Sequence, residues 1–122
     1  MPITAVTTDA IHKASCDAAV AAGDWIGVFT NTPNTSGSNE ASGGGYARQQ
    51  ATYPTGAMDS GYWVRAASGV TFTLGNGTYK GAGNFTDSTS GTFRWAAPWD
   101  GGADVEISGS GGTLTVISTI RA

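Results

Sequence analysis

Apolar and polar positions change their period early in this chain. Between positions 9 and 22, Ile11, Ala14, Ala18 and Ala22 recur at helical spacing, flanked by Ser15 and Val20. That pattern predicts an α-helix whose narrow stripe of small residues packs close against a neighbour. Thr7 or Thr8 is placed to cap its start, with Asp9 beside the positive end of the helix dipole. Gly23 is placed to end it in a left-handed cap. So short a helix is marginal alone in water, so docking must hold it. Residues 1–8, with β-branched Ile3, Thr4, Val6 and Thr7, read as an extended arm.

From Trp25 onward the pattern is β. Trp25–Thr30 is nearly all apolar, as in a strand buried on both faces or at a subunit contact. Thr32-Pro33-Asn34 ends it, and residues 34–45, with three consecutive glycines, form a loop that is mobile or tightly wound. Further strands are predicted at Ala47–Tyr53, Gly61–Arg65, Val70–Leu74, Thr78–Lys80, Thr92–Trp95, Val105–Ser108 and Thr113–Ile120. The separators Gly75-Asn76-Gly77, Gly81-Ala82-Gly83-Asn84, Asp100-Gly101-Gly102 and Gly109-Ser110-Gly111-Gly112 read as turns with positive φ available. Short strands at this spacing predict a mainly β fold, a β-sandwich or partly open barrel, with one N-terminal α-helix. Residues 9–122 form one domain on this reading, and no internal repeat is visible.

Length and composition narrow the function. A chain of 122 residues is large enough for one core. Its charged fraction is 12%, about half the ~25% of an ordinary domain. A surface so thinly charged is easier to understand if neighbours cover part of it. The six basic residues are scattered and the net charge is −3, which gives no footprint for nucleic acid. No apolar run approaches the ~20 residues of a membrane span, and the first residues lack the features of a signal peptide. Cys16 is the single cysteine, excluding an intrachain disulfide or a cysteine-built zinc site. Synthesis in a reducing cytoplasm, without secretion, is the expectation.

Candidate chemistry is sparse. His12 and Cys16 share a helix face, but no third orienting group can be argued, so a buried Cys and a half-exposed His are expected. Asp100, Asp104 and Glu106 cluster around a glycine pair without the spacing of an EF-hand loop. Gly43-Gly44-Gly45 lacks the Lys and hydroxyl of a phosphate loop and leads into a strand. No catalytic residue, metal ligand or cofactor is therefore assigned. Among the aromatics, Tyr62, Trp63, Trp95 and Trp99 are candidates to stack on a host-surface glycan or to meet a partner. Core and interface packing is their more ordinary use.

The segment Trp25–Gln50 carries a resemblance. Trp25-Ile26-Gly27-Val28-Phe29-Thr30-Asn31-Thr32-Pro33, followed by Asn39-Glu40-Ala41-Ser42-Gly43-Gly44-Gly45-Tyr46-Ala47-Arg48-Gln49, resembles a family of small virion proteins of actinobacterial tailed bacteriophages, of the tail-fibre or minor tail type. Trp25, Thr30, Pro33, Glu40, Gly43, Gly44, Tyr46 and Arg48 match that family's strand-turn and its following glycine signature. Phe29 stands where the family often has His, so any role of that His is absent. The match covers roughly residues 9–53. It implies a non-enzymatic structural role on a virion, with the matched residues serving as a structural or interface motif. Glu40 and Arg48 are placed to pair and to pin the glycine loop to the next strand, although an exposed pair would contribute only ~0–1 kcal/mol.

The resulting expectation is a minor tail or tail-fibre-type subunit, in contact with other virion proteins and forming a homo-oligomer such as a trimer. Capsid decoration on the phage head, against the major capsid protein, is the alternative, since a fibre normally needs a shaft or repeats and none is present. A carbohydrate-binding module is the second alternative.

Overall fold

The computed structural model describes residues 1–2 and 8–122. The expected arm at 1–8 lies for the most part outside the described residues, as does Thr7. The chain runs through α1 (Asp9–Ala22), β1 (Trp25–Phe29), β2 (Gln49–Gln50), β3 (Ala57–Asp59), β4 (Tyr62–Ala66), β5 (Val70–Leu74), β6 (Gly77–Tyr79), β7 (Gly81–Phe85), β8 (Phe93–Pro98), β9 (Val105–Ile107), β10 (Gly112–Val116) and β11 (Thr119–Arg121). The fold is mainly β with one helix, and its antiparallel sheets pack without closing into a barrel.

The central sheet has the order β2-β1-β7-β8, with Ile26 opposite Asn84 and Val28 opposite Ala82. The other sheets are β11-β4-β3, β10-β5 and β6-β9. Ile26, Val28, Phe72, Leu74, Val116 and Ile120 are all buried between them. β1 is buried on both faces, as its apolar run predicts.

Several expectations need correction. Gly81-Ala82-Gly83-Asn84 is not a turn but most of β7, a buried inner strand. Gly81 and Gly83 do not use positive φ; they let β8 come close. A Cβ would stand 2.3 Å from the Ala97 carbonyl oxygen at Gly81 and 2.4 Å from that of Trp95 at Gly83. Glycine here is required by packing, whereas at Gly101, Gly102, Gly109 and Gly111 the predicted positive-φ turns are present. The expected strand Ala47–Tyr53 contracts to Gln49–Gln50, and β3 had no expectation. The expected strand Thr113–Ile120 breaks near Ile117, so that β10 pairs with β5 and β11 with β4.

The remaining corrections concern the helix. The stripe Ile11, Ala14 and Ala18 faces outward, with Ile11 54% exposed. The inward face carries His12, Cys16, Ala19 and Val20 and packs on β4 and β11. Alanine tolerates exposure because its helix propensity is high, so Ala14 and Ala18 lose little by facing outward, and contact with β4 and β11 sets the docked face. Cys16 Sγ donates to the Ile120 carbonyl at 3.4 Å, and His12 Nδ1 lies 3.2 Å from the Ala122 carbonyl. The Thr8 side chain makes no cap, although its carbonyl accepts from Ile11 and His12. Gly23 is extended, at φ 171°, and a Cβ there would sit 2.6 Å from the Phe85 carbonyl oxygen.

Candidate functional site

Of the eight residues singled out between Trp25 and Arg48, Thr30, Glu40, Tyr46 and Arg48 assemble into one clamp. β1 delivers Phe29 to an isolated antiparallel bridge with Glu40. Thr30 N–H donates to the Asn39 carbonyl at 2.9 Å, and Ala41 N–H to the Val28 carbonyl at 2.8 Å. Thr30 Oγ1 adds a bond of 3.1 Å to the same Asn39 oxygen. The intervening loop is wound: Asn34 Oδ1 accepts from the Ser36 amide at 2.9 Å, and Gly37 lies against the Phe93 ring, where a Cβ would come within 2.5 Å.

Glu40 sits at the centre. Its Oε2 accepts from the Tyr46 hydroxyl at 2.6 Å and from Arg48 Nε at 2.8 Å, while its Oε1 accepts from Arg48 Nη2 at 2.8 Å. This fork geometry gives charge-assisted bonds of the stronger kind. Arg48 Nη1 reaches further, to the carbonyls of Asp87 at 3.0 Å and Ser90 at 2.7 Å, tying in the β7–β8 turn. The guanidinium lies over the Phe85 ring at 3.5 Å from its centroid. Tyr46 stacks on Phe72 and accepts the Val28 amide proton at 3.1 Å. Arg48 thus joins the glycine loop to the β7–β8 turn, while Glu40 and Tyr46 tie that loop to β1.

The electrostatics follow from this packing. Burial pushes the Glu40 carboxyl up, but the hydrogen bonds from Arg48 and Tyr46 outweigh it and hold the group below its ordinary range. Burial and the Glu40 bond raise the Tyr46 phenol far above its ordinary value, so it stays a donor. The clamp leaves no room at Gly27, where a Cβ would come within 2.9 Å of Glu40 Oε2 and of the Tyr46 hydroxyl. Gly44, at φ +63°, lies against the backbone of Gly75, whereas Gly43 faces open space. Trp25 is half-buried opposite Phe85, and the Pro33 ring lies over Gly81. Phe29, where the resembling family often has His, is buried in an aromatic group with Phe85 and Phe93, with centroids 5.6–6.0 Å apart.

The four candidate contact aromatics separate into two places. Tyr62 is exposed on β4 with the Arg121 guanidinium over its ring. Trp63 is half-buried beside it, its Nε1 donating to the Thr55 carbonyl at 2.9 Å. Trp95 and Trp99 are brought together in a cleft of about 310 Å³ between β7–β8 and the β10–β11 corner. Asn84 and Ser118 share that cleft and were not anticipated from sequence. Asn84 was hidden inside a glycine-rich stretch that reads as a turn.

Cys16 and His12 both serve to dock the helix, and burial pushes the Cys16 thiol up. Asp104 is engaged by Lys80 Nζ at 3.0 Å. Among the described residues no group of three His, Cys, Asp or Glu is placed to hold a metal ion, and no helix is long and apolar enough to cross a membrane. Comparison of the chain with family models, with curated proteins and with solved structures finds no match.

Proposed function

We propose that this chain is a non-catalytic structural subunit on the surface of a tailed-bacteriophage virion, of the minor tail or tail-fibre type. The observation that carries the reading is the clamp. The signature residues that resemble the virion family direct their polar atoms at one another and at backbone carbonyls, an arrangement suited to rigidity. The loop they hold presents Gly43 at the surface, where a neighbour can approach the backbone closely. The low charge of the surface suits contacts with other virion proteins and with copies of the same chain in a closed oligomer such as a trimer.

Capsid decoration is the alternative placement. It is favoured by one feature, the small sheet-built body, with no shaft or repeat among the described residues. Both placements put the chain in the assembled particle. Peptide mass spectrometry on gradient-purified particles of the encoding phage tests this. The chain should co-purify at a fixed ratio to the other structural proteins. Its confinement to the soluble lysate would overturn the proposal.

A further inference from the structure

The sheet β11-β4-β3 is covered on one side and open to solvent on the other. On the covered side Lys13 of α1 lies over the Trp63 ring and Asp17 pairs with Arg65. Side chains alternate along a strand and directly opposed residues share a face. Tyr62, Val64 and Ala66 therefore point away from the helix, with Ala57 and Asp59 from β3 and Arg121 from β11 beside them. All are exposed except the half-buried Val64, and Tyr62 is 49% exposed.

An open face is ordinary for an antiparallel sheet, but the charges on this one are placed in a particular way. Asp59 stands on one outer strand and Arg121 on the other, with the uncharged strip of Tyr62, Val64 and Ala66 on β4 between them. Arg121 lays its guanidinium over the Tyr62 ring, 4.9 Å from the centroid. Its direct partner on β4 is Val64, so this lean carries the charge along the strand to the level of Tyr62. Asp59 is directly opposite Tyr62, at that same level. Among the described residues neither Asp59 nor Arg121 is in an ion pair, whereas Lys13, Arg48, Arg65 and Lys80 each have a carboxylate partner.

We propose that this face docks a second copy of the chain, face to face about a twofold axis running along β4. Such an axis keeps height along the strands and exchanges their order, so β3 of each copy lies over β11 of the other. Asp59 then meets the partner's Arg121 at the same level, twice per contact, while the Tyr62, Val64 and Ala66 strips meet on the axis. An axis across the strands would set like charges on one another. A wholly cationic partner would oppose Arg121 and a wholly anionic one Asp59, so a surface carrying both charges at this spacing fits. Three strands ~4.8 Å apart and five residues of ~3.3 Å rise give a face of roughly 14 by 17 Å. That is well under the ~800 Å² per partner of a standard interface, so the contact is weak in dilute solution and gains when copies are held side by side. It gives the closed oligomer proposed above an even-numbered symmetry, a dimer or a hexamer with threefold contacts elsewhere, and it rests on that reading.

The test is self-association of the purified chain, followed by sedimentation equilibrium and by ¹⁵N amide spectra over a dilution series. The parent should associate as concentration rises, with the Tyr62, Val64 and Ala66 amide peaks moving while those of Thr71 and Thr115 on the β5–β10 sheet stay still. Asp59→Arg or Arg121→Asp alone should weaken association at least about tenfold, because the axis turns each substitution into two like-charge contacts. An equimolar mixture of the two variants should recover it as a heterodimer, since each then offers the charge the other lacks. Both residues are exposed, and a native amide spectrum in each variant shows that the loss is one of contact and not of fold. A parent that stays monomeric at every concentration overturns the proposal, as does peak movement confined to other surfaces. Association that both variants keep, or that the mixture fails to restore, overturns it equally. Because no particle is involved, failure here leaves the virion assignment to be decided by co-purification.

Discussion

Replacing Arg48 by Met removes the centre of the clamp while keeping most of its length and apolar contact with Phe85. The Glu40 carboxylate then loses two charge-assisted bonds of 2.8 Å and keeps only the Tyr46 hydroxyl at 2.6 Å. The carbonyls of Asp87 and Ser90 are at the surface, so water can replace Arg48 there at little cost. What decides the magnitude is how well water can reach the stranded carboxylate. The Arg48 side chain is 11% exposed and that of Glu40 21%. Breaking a fully buried pair costs about 3–5 kcal/mol, and an exposed pair contributes about 0–1 kcal/mol. A pair this sheltered but not sealed should lie between, so Arg48→Met should cost about 2–3 kcal/mol. For a chain of this size that lowers the melting temperature by roughly 10 °C. Glu40→Gln should cost less, since Gln keeps an acceptor for Tyr46 and Arg48 keeps its two carbonyls. The double variant should show a coupling of at least about 1 kcal/mol. The assay is urea unfolding followed by Trp fluorescence. Arg48→Met within about 0.5 kcal/mol of the parent would refute the clamp and reduce the pair to a surface contact.

The remaining predictions follow from other parts of the same structure. Because the folded-state Glu40 carboxyl titrates below its ordinary value, its contribution is present above the unfolded value near ~4.3 and is lost as pH falls through the folded one. The stability gap between parent and Glu40→Gln should therefore narrow below about pH 4; a gap constant into acid would contradict it. Gly83→Ala places a Cβ 2.4 Å from the Trp95 carbonyl oxygen, so it should disrupt the β7–β8 pairing and lower stability by at least about 2 kcal/mol, read by thermal melting. An unchanged melting temperature would contradict the close approach. Cys16 is fully buried with its thiol pushed up, so a thiol reagent at neutral pH should label the native protein far more slowly than the unfolded one. Equal rates would show that the helix does not stay docked.

Much of the fold was legible because its signals are local. The helix bounds, the apolar β1 and the positive-φ turns follow from spacing, burial period and glycine chemistry. What failed was long-range. Nothing within Gly81-Ala82-Gly83-Asn84 tells a turn from a strand whose neighbour's carbonyls stand too close for a Cβ. The choice between the Ala stripe and the Cys16 face was made by β4 and β11, which lie far along the chain. In the clamp, Glu40 and Arg48 could be paired from sequence. Their extension to Phe85, Asp87 and Ser90 could not, because it depends on β7 lying beside β1.

The central claim, that this chain is a building block of a tailed-phage particle, is tested most directly by a reconstruction of the intact virion in which the clamp and its β-sheets can be fitted to density. The account predicts symmetric density for this chain at the tail, with the Gly43 loop against a neighbouring virion protein or another copy. Density on the head lattice would move it to the decoration alternative. A complete, fully assigned particle with no density for the chain would contradict the account.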